Sequence, residues 1–261
     1  MSETAGGARR ILVTGAARRI GAAIARSLAA DGWFVVIHYH RSEPDAKALL
    51  EAIEAAGGTG GIIAADLAQR AEIERLVPAA VERFGPLEAL VNNAALFQYD
   101  SIDILEWPRW QAHLAANLSA PTFLARDFAR QLPEGRQGVI VNLLDQKVMD
   151  NLNPDFFSYT VSKMGLRAVT EMLALALAPK VRVCGIAPGV SLISGRQTQA
   201  SFEKSTKVTP LGRSSTVAEL VAAVRFILDM PSLTGEIITI DGGESLLKRP
   251  RDVAFETAPN R

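Results

Sequence analysis

The chain has 261 residues, of which 48% are hydrophobic, and its 28 basic residues (Lys and Arg) balance 28 acidic ones. A formal net charge of zero does not indicate a nucleic-acid or membrane surface, and we predict no metal site. No apolar run reaches the roughly 18 residues of a membrane span, and the polar first ten residues lack the apolar part of a signal peptide.

The cysteine content points to a compartment. Cys184 is the single cysteine, so no intrachain disulfide can form, which fits a reducing environment. We therefore predict a cytoplasmic protein. Cys184 lies in the apolar run 181–186, which favours a buried structural residue over a reactive thiol.

Short apolar runs alternate with longer helical patterns along the chain. In chain order we predict strand 10–14, helix 20–30, strand 33–39, helix 44–56, strand 61–65, helix 71–84, strand 87–92, helix 111–130, strand 138–143, helix 158–178, strand 181–187, helix 217–229 and strand 236–240. Continuous apolar strands that alternate with helices predict an α/β, doubly wound fold, with a mostly or wholly parallel sheet of about seven strands covered on both faces.

The pattern runs without a linker, so we predict a single Rossmann-like domain over residues 1–261. Residues 1–8 and about 248–261 are predicted tails, and the second is rich in Pro and Arg. Its sequence is compatible with a loose end and with a subunit contact.

The first strand leads into a turn that predicts a dinucleotide site. The turn contains Gly15 and Gly21, and between them lie Arg18, Arg19 and Ile20. Gly15 permits a tight turn and Gly21 permits close packing of the helix on the strand. The free N–H groups at the start of the helix then face a pyrophosphate.

The end of the second strand favours NADP over NAD. An Asp or Glu residue is typical there when NAD is bound, but this chain has His38, Tyr39, His40, Arg41 and Ser42. Arg41 and Ser42 are suited to a 2′-phosphate, and Arg18 of the first turn can approach the same corner. The alternative is that the arginines are solvated loop residues.

Two further segments are predicted to contact the cofactor. Asp66 and Leu67 follow the third strand, where Asp66 can accept from the adenine amino group or can serve a plain turn. Asn93, Ala94 and Ala95 follow the fourth strand, and small residues there allow the cofactor to approach closely.

Tyr159 and Lys163 give the strongest catalytic signal. Residues four apart share one face of a helix, so the phenol and the ammonium are predicted neighbours. A nearby cation lowers the pKa of a tyrosine, which predicts that Tyr159 donates a proton near neutral pH. The helix follows the fifth strand, whose carboxyl end opens onto the ligand in such folds. The alternative is a surface lysine beside a core tyrosine.

Together these motifs resemble the short-chain dehydrogenase/reductase family over nearly the whole chain. The matching elements are the glycine turn at 14–21, Asn-Asn-Ala-Ala at 92–95, Asn117, Tyr159 with Lys163, Ala187-Pro188-Gly189 and Asp241-Gly242-Gly243. The resemblance implies an NADPH/NADP cofactor, with Pro188, Gly189 and Ser191 beside the nicotinamide. It also implies that Asn117 anchors a water that relays protons to Lys163, and that the chain forms a homotetramer or a homodimer.

Asp145 departs from the pattern of most of that family, which has Ser at the end of the fifth strand. An ionised Asp accepts hydrogen bonds but cannot donate them, so it suits a substrate that carries N–H groups or takes a proton on nitrogen. Asp145 with Tyr159 and Lys163 resembles the pteridine reductase and dihydromonapterin reductase branch. In that branch Phe97 would stack on a pterin and Arg19 would lie near the pterin and the pyrophosphate. The alternatives are ordinary packing for Phe97 and an idle turn for Asp145.

The sequence therefore predicts a reductase for a small molecule. Our hypothesis is hydride transfer from NADPH to a C=N bond of a pterin, either a dihydropterin or a dihydrofolate-like compound. Tyr159 would donate the proton, assisted by Asp145 and Lys163. The alternatives are a carbonyl reductase for ketones, sugars or acyl thioesters, and a non-catalytic NADP-sensing protein.

Overall fold

The computed structural model describes residues 8–193 and 197–256. The strands are β1 Arg10–Val13, β2 Phe34–Tyr39, β3 Thr59–Ala64, β4 Ala89–Asn92, β5 Gly138–Leu143, β6 Val181–Pro188 and β7 Ile237–Ile240. They form one sheet in the order β3-β2-β1-β4-β5-β6-β7, and every neighbouring pair is parallel. The predicted doubly wound α/β fold with a parallel sheet of seven strands is confirmed.

Helices cover both faces of this sheet. They are α1 Arg19–Ala30, α2 Glu43–Ala55, α3 Arg70–Phe84, α4 Trp107–Leu114, α5 Ala120–Gln131, α6 Phe157–Ala176, α7 Gln199–Lys207, α8 Val217–Asp229 and α9 Val253–Glu256. The long helix predicted over about 111–130 is confirmed as one helical stretch over 107–131. It begins earlier than predicted, at Trp107, and its segment Ala115–Ser119 is π-helical. Helix α7 was not predicted because its mostly polar sequence lacks an apolar stripe.

The core lies on both faces of the sheet because successive strand residues alternate between them. Ile11 and Val13 pack on one face with helices α1 and α8, whereas Leu12 packs on the other face with helices α3 and α5. All three side chains are fully buried. Burial on both faces explains why the strands are continuous apolar runs.

The strand order reverses between β1 and β4, since β1 continues to β2 on one side and β4 continues to β5 on the other. In doubly wound sheets ligands bind beyond the carboxyl ends of the strands at such a reversal. The candidate site is therefore expected where the segments after β1, β4 and β5 meet. No helix in the described ranges is long and apolar enough to cross a membrane.

The described part of the predicted C-terminal tail packs against the chain. It includes α9, and Arg251 forms two hydrogen bonds with the buried Asp155. The interpretation of this part as a loose end is therefore wrong. Residues 1–7, 194–196 and 257–261 lie outside the described residues. These ranges contain most of the predicted N-terminal tail, the centre of the loop after β6 and the end of the predicted C-terminal tail.

Candidate active site

The turn after β1 has a backbone that only glycine fits well. Gly15 has a φ of +60°, in the left-handed region. A Cβ atom at Gly21 would lie 2.5 Å from the Gly15 carbonyl oxygen and 2.6 Å from Nδ2 of Asn93. The first turn of α1 therefore packs directly on the end of β1, which leaves the N–H groups of the helix start facing the crevice.

We expect Gly21→Ala to destabilise the chain and to weaken dinucleotide binding. The added methyl group overlaps main-chain atoms that cannot move without opening the turn, and overpacking of this kind costs about 1–3 kcal/mol. Urea unfolding and a cofactor titration measure the two effects. Arg26→Ala, an exposed change on the same helix, is the control. Equal results for the two variants would contradict the close packing.

His38 supports this turn from within the sheet. Its side chain is buried, Nδ1 accepts a hydrogen bond from the Gly15 N–H at 3.0 Å, and Nε2 lies 3.0 Å from the Ala65 carbonyl oxygen. Nε2 must therefore carry the proton and donate it. Burial lowers the pKa of His38 to about 4, so the ring is neutral. Both ring nitrogens thus hold the backbone, and the predicted contact of His38 with the cofactor stays a prediction.

The residues after β4 are bonded to the same turn. Nδ2 of Asn93 donates to the carbonyl oxygens of Thr14 at 2.8 Å and Gly15 at 3.1 Å. Oγ1 of Thr14 accepts from the N–H groups of Asn93 and Ala94, both at 3.0 Å. Asn93 thus fixes the two strand ends at the reversal point, while the small side chain of Ala95 is exposed.

The predicted adenine and ribose corner is exposed and polar. Arg18 is paired with Asp45 of α2, with Nε 2.8 Å from Oδ2, and Arg41 is exposed. Nε2 of His40 lies 3.6 Å from Oδ2 of Asp66. Asp66 also accepts from the Ala68 N–H at 2.9 Å, as the plain-turn interpretation expects. The corner presents basic groups, although Arg18 already contacts a carboxylate.

Other residues predicted in this region contribute to packing. Leu67 is buried in the core, and Ile20 and Tyr39 are partly buried against it, whereas Ser42 directly precedes α2.

The three predicted catalytic groups converge at the end of β5. The Tyr159 hydroxyl donates to Oδ2 of Asp145 at 2.9 Å, and Oδ1 of Asp145 accepts from the Lys147 N–H at 2.9 Å. Nζ of Lys163 donates to the Leu143 carbonyl oxygen at 2.6 Å. Tyr159 and Lys163 are only 6% and 2% exposed. Helix α6 therefore holds the phenol and the ammonium over the carboxyl end of β5.

The pKa of Tyr159 differs from the sequence prediction. Burial raises the pKa of Tyr159 well above its usual value, and the adjacent Asp145 raises it further. Burial lowers the pKa of Lys163 to about 8 and raises the pKa of Asp145. The prediction that Lys163 lowers the pKa of Tyr159 is wrong here. Nζ of Lys163 lies 5.8 Å from the Tyr159 ring centre, whereas Asp145 contacts the hydroxyl directly.

Asn117 lies in the π-helical segment, a feature that is frequent at functional sites. Its Oδ1 accepts from the Leu96 N–H at 2.8 Å, and its Nδ2 donates to the Leu96 carbonyl at 2.9 Å and to Oγ of Ser162 at 3.0 Å. The side chain joins the segment after β4 to α6. The proton relay through water stays a prediction.

Phe97 forms an aromatic wall beside the catalytic tyrosine. Its ring is 41% exposed, lies edge-on to Tyr159 at 4.7 Å and stacks on Phe156 at 4.4 Å. Phe156 directly precedes α6 with a φ of +55°, an unusual backbone conformation for a bulky residue. No motif in the sequence marks Phe156 as part of the site.

A buried polar network fixes the Phe97 segment against α6. Nε2 of His113 accepts from the Gln98 N–H at 3.2 Å, and its Nδ1 contacts Oγ of Ser158 at 2.5 Å. Ser158 donates to Asp100 through its N–H at 3.1 Å and through its hydroxyl. Burial lowers the pKa of His113, which favours the neutral ring that this network requires. No motif in the sequence marks His113, Ser158 or Asp100 either.

The segment after β6 forms the opposite wall. Oγ of Ser191 donates to the Gly189 carbonyl at 3.0 Å and contacts Oγ of Ser215 at 2.6 Å. The guanidinium of Arg19 reaches across to donate to the Ile193 carbonyl at 2.9 Å. Pro188 ends β6 at this edge. Arg19 thus connects the glycine turn with the loop after β6.

Comparison with known proteins identifies the family. The short chain dehydrogenase family model matches residues 9–204, which contain both the glycine turn and the catalytic groups. The chain belongs to the short chain dehydrogenase family. The chain is therefore an oxidoreductase of this family, and its Tyr159–Lys163 pair lies within the matched residues.

Relatives within the family differ in activity. FolM alternative dihydrofolate reductase 1 from Brucella suis, solved in complex with NADP, is 43% identical with a TM-score of 0.89, over 92% of this chain and 96% of that one. Pteridine reductase 1 of Leishmania tarentolae is 30% identical over 91% of this chain and 96% of its own length. A 3-oxoacyl-[acyl-carrier-protein] reductase of Synechocystis is also 30% identical, over 89% and 95%.

Proposed function

We propose that the chain is an NADPH-dependent reductase that transfers hydride to a C=N bond of a pterin, either a dihydropterin or a dihydrofolate-like compound. The observation that carries this proposal is the 2.9 Å contact between the Tyr159 hydroxyl and Asp145, beside the half-exposed ring of Phe97. A carboxylate there suits a substrate with N–H groups, and the ring suits a flat heterocycle. Similarity to the FolM and pteridine reductase proteins supports it.

The chain's residues fit NADPH, which supplies the hydride when bound. The close packing at Gly21 leaves the N–H groups at the start of α1 facing the crevice, where they would bind the pyrophosphate. Arg41, Ser42 and, on release from Asp45, Arg18 would bind the 2′-phosphate. Asn93, Ala94, Pro188 and Gly189 would line the nicotinamide end.

Arg41→Ala tests the 2′-phosphate assignment. We expect KM for NADPH to rise about tenfold while KM for NADH stays within a factor of two, because a charge-assisted bond to phosphate contributes about 1.5–3 kcal/mol and NADH lacks the phosphate. Steady-state kinetics with each cofactor measure the ratio. Lys47→Ala, an exposed change on nearby α2, is the control. An equal rise for both cofactors would place Arg41 elsewhere in the site.

Tyr159, Lys163 and Asp145 have different roles in the proposed reaction. Tyr159 holds a proton at its hydroxyl and delivers it to the substrate nitrogen as the neighbouring carbon gains hydride. Lys163, with a pKa of about 8, is mostly cationic at pH 7 and would donate hydrogen bonds to the nicotinamide ribose. Asp145 has a raised pKa, so it can carry the proton that restores the hydroxyl.

The test is NADPH oxidation by the purified protein with a dihydropterin, dihydrofolate and a panel of ketones assayed side by side. We expect turnover with the pterins and little with the ketones. Turnover confined to ketones would keep the cofactor and the family but exclude the pterin substrate.

The second candidate is a carbonyl reductase, favoured by the similarity to 3-oxoacyl-[acyl-carrier-protein] reductases and by a Tyr159–Lys163 pair that suits ketone reduction equally well. Asp145 is the residue that discriminates, since its carboxylate repels the oxyanion of a reduced ketone and cannot donate to it.

Asp145→Ser should separate the two candidates. For a pterin reductase we expect kcat/KM with the pterin to fall about 100-fold, because the group that receives the Tyr159 hydrogen bond and relays protons is lost. Any ketone activity should rise, since Ser can donate to the carbonyl. Asp145→Asn, which retains the shape without the charge, is the matched variant. If both variants reduced the pterin at the wild-type rate, Asp145 would have no role in catalysis.

A further inference from the structure

The C-terminal segment meets a buried lysine close to the catalytic carboxylate. Oδ2 of Asp252, the residue before α9, lies 2.5 Å from Nζ of Lys147, and both residues are buried. Nζ also donates to the Asp155 carbonyl oxygen at 3.3 Å and to Oδ1 of Asn153 at 3.4 Å. Three oxygen atoms therefore hold this ammonium group in one place, and one of them belongs to a carboxylate, as a buried charge requires.

Lys147 also orients Asp145 through its backbone. The Lys147 N–H donates to Oδ1 of Asp145 at 2.9 Å, while the Tyr159 hydroxyl donates to Oδ2 at 2.9 Å. The carboxyl group is thus held at both oxygens, by Lys147 on one side and by the proton donor on the other. Asp145 caps the short 3₁₀ helix Gln146–Val148, which contains Lys147. A side-chain anchor for Lys147 therefore fixes the direction in which Asp145 faces Tyr159.

The groups that act on the charge of Asp145 come from several segments. They are Lys147 on its own turn, Tyr159 and Lys163 on α6, Glu244 after β7 and Asp252 before α9. Burial raises the pKa of Asp145, and the positive charge of Lys147 opposes that rise, as does the Lys147 N–H. The negative charge of Asp252 adds to the rise in the pKa of Asp145. Lys147 and Asp252 form one ion pair, yet they act on the same carboxyl in opposite directions.

We propose that Lys147 is a positioning residue that acts on the reaction through Asp145, and that Asp252 of the C-terminal segment holds the Lys147 ammonium group in place for this role. The inference rests on the proposed pterin reductase function, in which Asp145 returns a proton to Tyr159. The charges that act on Asp145 then set the pH range over which this carboxyl holds the proton and releases it. The C-terminal segment thereby takes part in the proton chemistry of the site.

The pH dependence of kcat/KM for pterin reduction tests this role. Asp145→Asn identifies the limb of the profile that belongs to Asp145, because that limb disappears. Lys147→Met removes the positive charge, so we expect the midpoint of the limb to move up by about one pH unit, the lower end of the effect of one nearby charge. Asp252→Asn leaves the Lys147 charge without its counter-charge, so the midpoint should move down. Lys147→Arg retains the charge and should keep the limb near its wild-type position.

Arg251→Gln is the matched control, because it breaks the ion pair with Asp155 in the same segment and leaves the Lys147–Asp252 pair intact. It should keep the limb at the wild-type pH, and thermal unfolding shows whether each variant retains its fold. A merely structural role predicts a different result. A loosened segment would admit water to Asp145 and relieve its burial, which would lower the midpoint in every variant. A shift in the same direction for Lys147→Met and Asp252→Asn, or an unmoved limb in either, would overturn the proposal.

Infrared spectroscopy measures the same titration without turnover. The C=O stretch of the protonated Asp145 carboxyl is the band that Asp145→Asn removes. The midpoint of this band should move up in Lys147→Met and down in Asp252→Asn. Infrared midpoints that do not separate would overturn the role of Lys147 and Asp252 while the pterin function stands. A wild-type protein that reduces no pterin would overturn the proposed function and the part of these two residues in it.

Discussion

Tyr159→Phe is expected to lower kcat for pterin reduction by about 10²- to 10⁴-fold, the range by which a positioned acid accelerates proton transfer. The variant retains the ring, which packs edge-on against Phe97, and loses only the hydroxyl that donates to Asp145. The Kd for NADPH should therefore stay near its original value. Stopped-flow reduction measures the rate, and quenching of protein fluorescence measures cofactor binding.

Thr160→Val is the matched control, because it removes another buried hydroxyl on the neighbouring position of α6. We expect it to reduce kcat at most severalfold. If Tyr159→Phe reduced a pterin at a nearly native rate, the proton would have to come from another group and the assignment of Tyr159 would fail. If NADPH binding were lost instead, the Tyr159 hydroxyl would contribute to cofactor binding rather than to proton transfer.

The parts of the site that the sequence predicts well depend on short-range pattern. Apolar strands predict the sheet because both of its faces are buried, and the order of strands and helices then places Asp145 and Tyr159 at one edge. The four-residue spacing predicts that Tyr159 and Lys163 share a helix face. Their proton affinities are not predictable in this way, since burial dominates the pKa of each group.

The parts that the sequence does not predict depend on contacts between distant segments. Asp100 meets Ser158 across 58 positions, and His113 meets Ser158 across 45, with no local motif to mark them. His38 lies within the predicted strand 33–39, but its hydrogen bonds to Gly15 and Ala65 join it to residues more than 20 positions away. Phe156 becomes part of the aromatic wall only because the chain turns sharply before α6.

Glu244→Gln is expected to stabilise the protein most strongly at alkaline pH. Glu244 begins a short turn after β7, its side chain is 2% exposed, and Oε2 has no hydrogen-bond partner within the described ranges. Burial raises the pKa of Glu244 to about 8, and the nearby carboxylates of Asp145, Asp252 and Asp241 contribute to this rise. The positive charge of Arg249 opposes it with a smaller effect. The folded chain thus keeps this proton at neutral pH.

The sign of the pH dependence follows from the two states of Glu244. The unfolded chain releases the proton near pH 4.5, whereas the folded chain retains it up to about pH 8. Stability is therefore highest below pH 4.5, falls across this window, and levels off above pH 8. Because each pKa unit corresponds to about 1.4 kcal/mol, the loss reaches at most about 5 kcal/mol. Gln has similar shape and no charge, so the variant avoids the loss.

Urea unfolding at pH 5 and pH 8 measures the effect. Relative to the wild type, Glu244→Gln should have a small effect at pH 5 and a gain of several kcal/mol at pH 8, while Glu51→Gln on the exposed face of α2 should show no such difference. An equal effect of Glu244→Gln at both pH values would mean that the folded chain ionises this carboxyl as easily as the unfolded one. In that case the negative charge would lie near Asp145 at neutral pH. The catalytic carboxyl would then be harder still to ionise, and kcat should respond to Glu244→Gln.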